Sequence, residues 1–248
     1  MEFNPVSKLT QLDKMKTELR MCYSLTPEIL QNLHDKFIVD YTYNSNAIEG
    51  NTLTSQETAL VLNNTVIDKK PIKDQLEAMG HRDAFLYIEK SVRDKIPFSE
   101  NVVRQIHSFV LKDRPRESGE YRHVPVRIIG AYHIPAKPLL IPEKMENLIA
   151  WFSNDKKLHP IERAALFHLK FEGIHPFVDG NGRTGRLIMN LMLMHAGYLP
   201  INIKYSERKR YYEAFDASYR DENTDKMTNI LINEEYESLT HFLSLMRE

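Results

Sequence analysis

Residues 175–186 read HPFVDGNGRTGR and hold several side chains that could act together in one reaction. Within this stretch stand a histidine, an aspartate, an asparagine, two arginines and three glycines. A turn that only joins two helices needs one or two glycines and no such set of polar side chains. A glycine pair with a single histidine would suit an interhelical turn, but the full set indicates a functional site.

The two arginines of the stretch, Arg183 and Arg186, are three positions apart and would share one face at the start of a helix. Cations there are disfavoured by about 0.3–1 kcal/mol each, because they meet the positive end of the helix dipole. A polyanion between them would more than compensate, since bidentate arginine–phosphate contacts are strong and directional. Backbone N–H groups near Gly180 and Gly182 could approach the same anion without a side chain in the way.

Two further polar side chains, His175 and Asp179, could take part in a reaction of a bound phosphate. His175 carries an imidazole, which can serve as a general base on an incoming hydroxyl. Asp179 is a lone carboxylate among positive groups. Mg²⁺ commonly binds one or two carboxylates together with phosphate oxygens, so Asp179 is a candidate magnesium ligand.

The composition is that of an ordinary globular protein. The chain has 248 residues, of which 42% are hydrophobic and 27% charged, and Lys plus Arg number 33 against 34 for Asp plus Glu. This balance gives no global positive field, so we expect no nucleic-acid partner. The single Cys22 excludes an intrachain disulfide and a thiolate-rich zinc site. The N-terminus is polar and the apolar run 187–194 is short, so we expect a cytoplasmic protein with no membrane association.

Two other enzyme classes lack their motifs. No H-E-x-x-H pair occurs among the ten histidines, which argues against a zinc enzyme. No G-x-x-x-x-G-K-[ST] loop occurs, which argues against ordinary nucleoside triphosphatase chemistry. His107 and His168 have apolar neighbours and are expected to be hydrogen-bonded core histidines.

Helical periodicity dominates the chain. Thr26, followed by proline and glutamate, predicts a helix start, and Gly50 is suited to end that helix. Further helices are expected after Thr54, over 72–93, after Ser99, and over 143–152, 160–173, 182–197, 206–219 and 235–246. The helix after the glycine-rich loop is apolar nearly all round, which predicts a central position in the fold. Residues 121–142 are rich in proline and β-branched residues and predict a short β-hairpin or extended flap.

Residues 175–183 resemble the signature of the Fic (filamentation induced by cAMP) family, His-Pro-Phe-x-Asp/Glu-Gly-Asn-Gly-Arg, and Arg186 completes its longer form. The GEYR segment at 119–122, the flap and a tyrosine pair at 211–212 extend the resemblance over roughly 97–220. It implies an all-α Fic-type helical bundle with a small β-hairpin flap over the active site. We expect an N-terminal helical region at 1–95, a catalytic core at 96–220 and a C-terminal helical extension at 221–248.

The resemblance implies a protein adenylyltransferase that transfers AMP from ATP to a Ser, Thr or Tyr hydroxyl of a target protein. His175 would then deprotonate the target and Asp179 would hold Mg²⁺ against the phosphates. Gly180, Asn181 and Gly182 would bind the α-phosphate. Arg183 would bind the β-phosphate and Arg186 the γ-phosphate.

The resemblance gives further residues two readings each. Tyr212 would pack by the adenine, or it is simply a tyrosine on an amphipathic helix. On the flap, Ile129, Tyr132 and His133 would clamp the target side chain while the flap binds the target by strand addition, or they form the packing face of the hairpin.

The phrase SNAIEGNTLT (45–54) resembles the Fic inhibitory motif, through Ser45, Glu49 and Gly50. Glu49 would pair with Arg186 in the place of the γ-phosphate, a charge-assisted contact that contributes about 1.5–3 kcal/mol. Without that role, Glu49 would be a surface acid at a helix end with Gly50 as its cap. The same glutamate could instead orient water for removal of AMP from a modified target.

Two rival functions stay open. One is an enzyme of the same fold that uses another nucleotide donor or removes AMP; the pair Arg183 and Arg186 favours a triphosphate donor. The other is a non-catalytic regulator that senses nucleotide, against which His175 argues. Several members of the family form homodimers, and the sequence does not decide whether this chain does.

Overall fold

The computed structural model describes residues 5–21, 25–128 and 132–246. This part of the chain is all-helical, as expected from the sequence. Its α-helices are α1 Pro5–Met21, α2 Pro27–Ile48, α3 Ser55–Leu62, α4 Ile72–Arg93, α5 Glu100–Val110, α6 Ile141–Asn154, α7 Pro160–Ile174, α8 Asn181–His195, α9 Arg208–Asp221 and α10 Asp225–Leu245. Two single 3₁₀ turns cover Pro138–Leu140 and Tyr205–Glu207. None of the described helices is both long enough and apolar enough to cross a bilayer.

Helix α8 lies at the centre of the fold, as its all-round apolar surface predicts. It packs against α2, α4, α5 and α7. Leu187, Ile188 and Leu191 are fully buried. The start of α8 carries the glycine-rich loop, so the loop is held by four surrounding helices.

Local capping signals place both ends of α2. The Thr26 hydroxyl accepts a hydrogen bond from the Ile29 amide at 3.4 Å, and Pro27 fills the first position. At the other end Glu49 is the C-cap residue, and Gly50 follows with a φ of 91°, which a glycine adopts without strain. The predicted end of this helix is confirmed, and it fixes where Glu49 stands.

Two helices differ from expectation. Helix α1 is not among the expected helices, because its polar sequence buries only a narrow stripe, including Leu9 and Leu12, against α10. Helix α10 begins at Asp225, ten residues before the predicted 235. Met227 and Leu231 on its first turns are fully buried, but intervening polar residues conceal the pattern in the sequence.

The β-hairpin of the flap is not confirmed. Within 121–128 and 132–142, the described parts of the predicted flap, no strand is present. The buried Arg122 guanidinium instead holds the two limbs, donating to the carbonyl of Val124 at 2.9 Å and to that of Ala136 at 2.5 Å. A side chain thus provides the hydrogen bonds that a ladder would have made. Ile129 lies outside the described residues.

Candidate active site

The glycine-rich loop begins at a strained residue and ends at a helix start. Helix α7 stops at Ile174, and His175 caps it in the left-handed region with a φ of 52°. The His175 amide donates to the Phe171 carbonyl at 2.8 Å, and the Arg122 guanidinium donates to the His175 carbonyl at 2.8 Å. Left-handed backbone in a non-glycine residue is uncommon and marks functional sites. The backbone of His175 is therefore fixed from both sides.

His107 and Phe177 anchor the middle of the loop. Phe177 is fully buried, and its ring stacks on the His107 imidazole at 3.6 Å between centroids. The Gly119 amide donates to His107 Nδ1 at 2.9 Å, so Nε2 carries the proton and donates to the Asp179 carbonyl at 3.0 Å. Burial lowers the pKa of His107 to about 4, which keeps the ring neutral. The expectation of a hydrogen-bonded core histidine is confirmed.

The Asn181 side chain is used inside the loop. Its Oδ1 accepts from the Phe177 amide at 2.9 Å, and its Nδ2 donates to the Phe177 carbonyl at 2.9 Å. Gly180 precedes it with a φ of 74° and starts α8. The side chain of Asn181 therefore shapes the loop, and the groups of Gly180, Asn181 and Gly182 that face an anion at the helix start are backbone amides.

Arg186 is the largest fully buried side chain and is held by α2 and α9. Its Nε donates to the Ser45 hydroxyl at 3.0 Å and its Nη2 to the Ser45 carbonyl at 2.7 Å. The same Nη2 lies 2.8 Å from Glu49 Oε1, and Nη1 donates to the Tyr211 hydroxyl at 3.3 Å. Burial opposes the charge, but Tyr211 and Glu49 keep the pKa of Arg186 above its ordinary value.

Glu49 lies directly over the start of α8. A Cβ placed on Gly182 would overlap Glu49 Oε1, so only a glycine permits this approach. Ser45 and Glu49, at the end of α2, thus meet the start of α8, and Gly50 follows them in the turn that ends the helix. The Glu49 carboxylate occupies the space above the helix start where an anion would bind.

Arg183 has a carboxylate partner that the sequence did not reveal. Its Nη1 lies 3.2 Å from Oε1 of Glu77 on α4, and both side chains are buried. The side-chain oxygen Oδ1 of Asn46 accepts from the same nitrogen at 3.4 Å, and the side chain of Asn51 donates to the other oxygen of Glu77 at 3.0 Å. In the sequence Glu77 is an ordinary charged residue of a helix, and only the packing of α4 against α8 brings it to Arg183.

Asp179 is a half-buried carboxylate among positive charges. It pairs with Arg114 and lies 3.6 Å from Arg183, and the Gly180 amide donates to it at 2.6 Å. Burial alone would raise the pKa of Asp179, but Arg183, the Gly180 amide and Arg114 hold it below its usual range. Among the described residues no group of three or more acidic, histidine or cysteine side chains could hold a metal ion. A metal bound by Asp179 would need further oxygens from a ligand, and phosphates provide them.

The residues predicted to contact the adenine and the target differ in how far they are exposed. Tyr212 is half exposed and its hydroxyl donates to the Ile48 carbonyl at 3.0 Å. The His133 imidazole is 2.7 Å from the Gly173 carbonyl and stacks on Tyr219 at 4.2 Å, so it packs the flap onto the core. Tyr132 is exposed, and among the described residues the Arg220 guanidinium lies over its ring.

His168 makes a second buried connection beneath the site. Its Nε2 is 2.6 Å from the hydroxyl of Tyr211, which in turn accepts from Arg186. Burial lowers the pKa of His168 to about 4, so the ring is neutral. His168 is thus the expected hydrogen-bonded core histidine, and it supports the Arg186 environment.

The assembled groups form a blocked anion site beside an imidazole. Backbone amides, Arg183 and Arg186 converge at the start of α8, and acidic side chains from α2 and α4 already neutralise the two guanidinium groups. His175 stands at the opposite end of the loop. Such an arrangement can bind a polyphosphate once Glu49 moves, and can take a proton from a hydroxyl that approaches the phosphate.

The model of the Fic/DOC family matches residues 97–193. A protein named protein adenylyltransferase Fic from Drosophila grimshawi is 34% identical over 209 residues, which are 83% of this chain and 43% of that protein. This chain therefore spans less than half the length of that relative.

Two solved structures are similar over nearly the whole chain. A Fic domain containing signaling protein from Bacteroides thetaiotaomicron aligns with a TM-score of 0.85 and 28% identity, covering 97% of this chain and 98% of that one. Fic-1 from C. elegans aligns with a TM-score of 0.86 and 26% identity, covering 98% of this chain and 73% of that one.

Proposed function

The chain belongs to the Fic/DOC family through its residues 97–193, and on that premise we propose that it is a protein adenylyltransferase held inactive by its own helix α2. The observation that carries the proposal is the pair Arg183 and Arg186 at the start of α8, with Glu49 lying 2.8 Å from Arg186 and with His175 at the other end of the same loop. Its relatives named protein adenylyltransferase Fic support the same activity.

In the proposed reaction, Nε2 of His175 takes the proton of a Ser, Thr or Tyr hydroxyl of the target protein. The hydroxyl oxygen forms a bond to the α-phosphorus of ATP, and the bond between that phosphorus and the oxygen bridging to the β-phosphate breaks. Pyrophosphate leaves with the electron pair, and AMP stays on the target. The protein contributes mainly positioning and charge stabilisation, so few of its residues need to be reactive.

The phosphates would be divided among the groups at the start of α8. We assign the α-phosphate to the backbone amides of Gly180, Asn181 and Gly182. Arg183 would bind the β-phosphate and Arg186 the γ-phosphate. Both guanidinium groups are buried, which makes each contact with a phosphate stronger than in water.

Asp179 would hold Mg²⁺, with the remaining ligands provided by phosphate oxygens and water. Asp179 fits this role, because it is an ionised, partly exposed carboxylate beside Arg114 and Arg183. When bound, the metal would neutralise charge on the phosphates.

Tyr212 and the flap would recognise the adenine and the target protein. The half-exposed ring of Tyr212 would pack by the adenine. The flap would dock an extended segment of the target, and the exposed Tyr132, together with Ile129, would contact the target side chain. His133, which packs the flap onto α7, would hold the flap over His175.

The inhibition would be steric, because Glu49 and the γ-phosphate cannot occupy the same place. Glu49 occupies the position of the γ-phosphate on Arg186, so ATP could bind only in a non-productive pose until α2 shifts. The contacts of Ser45 with Arg186 and the turn at Gly50 would hold Glu49 there. Removal of AMP from a modified target is the second candidate function, because Glu49 is also placed to orient water next to the start of α8.

We also propose the division of the chain into the inhibitory region 1–95, the catalytic core 96–220 and the extension 221–248. The protein target, a homodimeric assembly and a cytoplasmic location belong to the same proposal, as does the absence of nucleic-acid and membrane partners.

Incubation with ATP labelled at the α-phosphate, in the presence of Mg²⁺, tests the proposal. The wild type, Glu49→Gly and Glu49→Gly/His175→Ala would be compared for label on the protein itself and on proteins of a cell lysate. The expected result is weak labelling by the wild type, strong labelling by Glu49→Gly and none by the double variant. Equal labelling by the two variants would contradict the role of His175. No labelling by any variant would contradict the transferase.

A further inference from the structure

Glu172 faces the candidate general base from the last turn of α7. It stands three residues before His175, and its Oε2 lies 3.4 Å from His175 Nδ1. Both side chains are largely shielded, with 18% of the His175 side chain and 11% of the Glu172 side chain exposed. The carboxylate thus meets the buried edge of the imidazole.

Each of the two groups has a buried polar atom without a hydrogen-bond partner among the described residues. His175 Nδ1 and Glu172 Oε1 are buried and make no hydrogen bond among the described residues, and the 3.4 Å contact is too poorly aligned to count as one. Buried polar atoms normally find a partner, because leaving one unpaired costs about 1–3 kcal/mol. A small rotation of the imidazole would pair these two groups.

The carboxylate is packed against α8, beside His168. A Cβ on Gly185 of α8 would lie only 2.7 Å from Glu172 Oε1, so the acid is pressed against α8. The backbone of His175 is fixed by its amide and carbonyl hydrogen bonds. Two groups on rigid supports therefore meet across a short distance.

Several titratable groups from neighbouring helices surround this pair. The groups whose charge or polarity acts on Glu172 are His168 on α7, Arg186 on α8, and Tyr211, Tyr212 and Tyr219 on α9. Burial would raise the pKa of Glu172, but His175, His168 and Arg186 hold it below its usual range. Glu172 is thus an ionised carboxylate, which the mechanism proposed above does not use.

We propose that Glu172 is a positioning residue for His175: its carboxylate accepts a hydrogen bond from Nδ1–H, leaves Nε2 as the nitrogen without a proton, and stabilises the imidazolium formed during transfer. The inference rests on the proposed function for its catalytic consequence. In that step the target hydroxyl proton moves to Nε2 while the hydroxyl oxygen bonds to the α-phosphorus and pyrophosphate leaves. A carboxylate that orients a histidine and fixes its tautomer plays this part in unrelated enzymes.

The first test is independent of activity. Ring-nitrogen NMR of ¹⁵N-histidine-labelled wild type, Glu172→Gln and Glu172→Leu would report the tautomer of His175, with His175→Ala identifying its signals. We expect the Nδ1–H form in the wild type and in Glu172→Gln, whose amide oxygen can still accept, and loss of that form in Glu172→Leu. An Nε2–H form in the folded wild type, or the same tautomer in all three proteins, would overturn the inference.

The second test measures transfer in the Glu49→Gly background, with intact Glu172 as reference and Glu146→Gln, an exposed glutamate of α6, as control. Glu172→Gln removes the charge but keeps the shape, so kcat should fall roughly 10- to 100-fold with little change in KM for ATP. The acid side of the kcat profile should move to lower pH, and thermal stability should stay near that of the control.

The outcomes separate the two claims. An unchanged kcat and pH profile in Glu172→Gln would overturn the positioning role. A fall in kcat with an unshifted profile and a lowered Tm would overturn it too, since that is the signature of a structural carboxylate beside His168. Absence of transfer by Glu49→Gly with intact Glu172 would instead overturn the proposed function, and the NMR result would still decide the pairing.

Discussion

Glu77 and Arg183 form a buried ion pair, with Oε1 and Nη1 3.2 Å apart, that joins α4 to the start of α8. Together with the 2.8 Å contact of Glu49 with Arg186, it leaves each arginine of the loop matched with a carboxylate from the N-terminal helices. Both guanidinium groups are thereby stabilised in a buried site. The N-terminal region thus supplies the negative charge that a triphosphate would bring.

Replacing Glu49 with glycine should activate transfer. The substitution removes the carboxylate above Gly182 and leaves Arg186 held by Ser45 and Tyr211. A charge-assisted contact of about 1.5–3 kcal/mol corresponds to a rate increase of roughly 10- to 100-fold. Initial rates of AMP incorporation at saturating ATP would measure it, with Glu146→Gln as control. An increase of less than about twofold would contradict the inhibitory role, given that each 1.4 kcal/mol is a factor of ten.

Replacing Glu77 with glutamine should make stability depend more strongly on ATP. Arg183 would lose its nearest carboxylate, and breaking a buried ion pair costs about 3 kcal/mol. A bound β-phosphate would restore the lost charge, so ATP should raise the Tm of this variant more than that of the wild type. Thermal denaturation with and without ATP measures the difference, and Glu89→Gln on the same helix is the control. Equal ATP-induced shifts would show that the β-phosphate does not reach Arg183.

His168 predicts a loss of stability in mild acid. Its pKa is about 4 in the fold and about 6.5 in the unfolded chain, so the unfolded state binds more protons between these values. The stabilisation is complete above pH 6.5 and is lost as the pH falls towards 4, by at most about 1.4 kcal/mol per pH unit. Urea unfolding at several pH values should give a shallower acid slope for His168→Gln, which keeps a partner for Tyr211. An unchanged slope would mean that His168 is charged in the fold.

Arg122 predicts a coupling between the flap and the loop. Its guanidinium donates to carbonyls of Val124, Ala136 and His175, a fork that lysine cannot reproduce. Arg122→Lys should lower the free energy of unfolding by about 2–3 kcal/mol, because several partly buried carbonyls lose their shared donor. Chymotryptic cleavage near the exposed Tyr132 should also become faster. Stability and cleavage rates like those of the wild type would contradict this role.

Local signals made much of this fold predictable. Thr26 and Gly50 mark the ends of α2 by capping chemistry alone, and the apolar surface of α8 predicts its central position. The cluster at 175–186 is readable because its members are neighbours in the chain. Each of these inferences depends on residues within a few turns of one another.

The partners that come from distant helices could not be predicted in the same way. Glu77, Arg114 and Glu172 are ordinary charged residues in the sequence, and only the packing of α4, the segment after α5 and α7 brings them to the loop. The side chain of Asn181 turned out to bind the loop backbone, a use that its residue type does not distinguish from phosphate binding. The predicted β-hairpin of the flap is not confirmed, because a buried arginine, rather than strand pairing, holds the described limbs of the flap.

We propose that the loop between α7 and α8 transfers AMP rather than phosphate. Glu49→Gly should therefore be incubated with Mg²⁺ and ATP labelled either at the α-phosphate or at the γ-phosphate, with Glu49→Gly/His175→Ala beside it. We expect covalent label on protein from α-labelled ATP only, and none in the double variant. Label from γ-labelled ATP, or α-label that persists without His175, would contradict it.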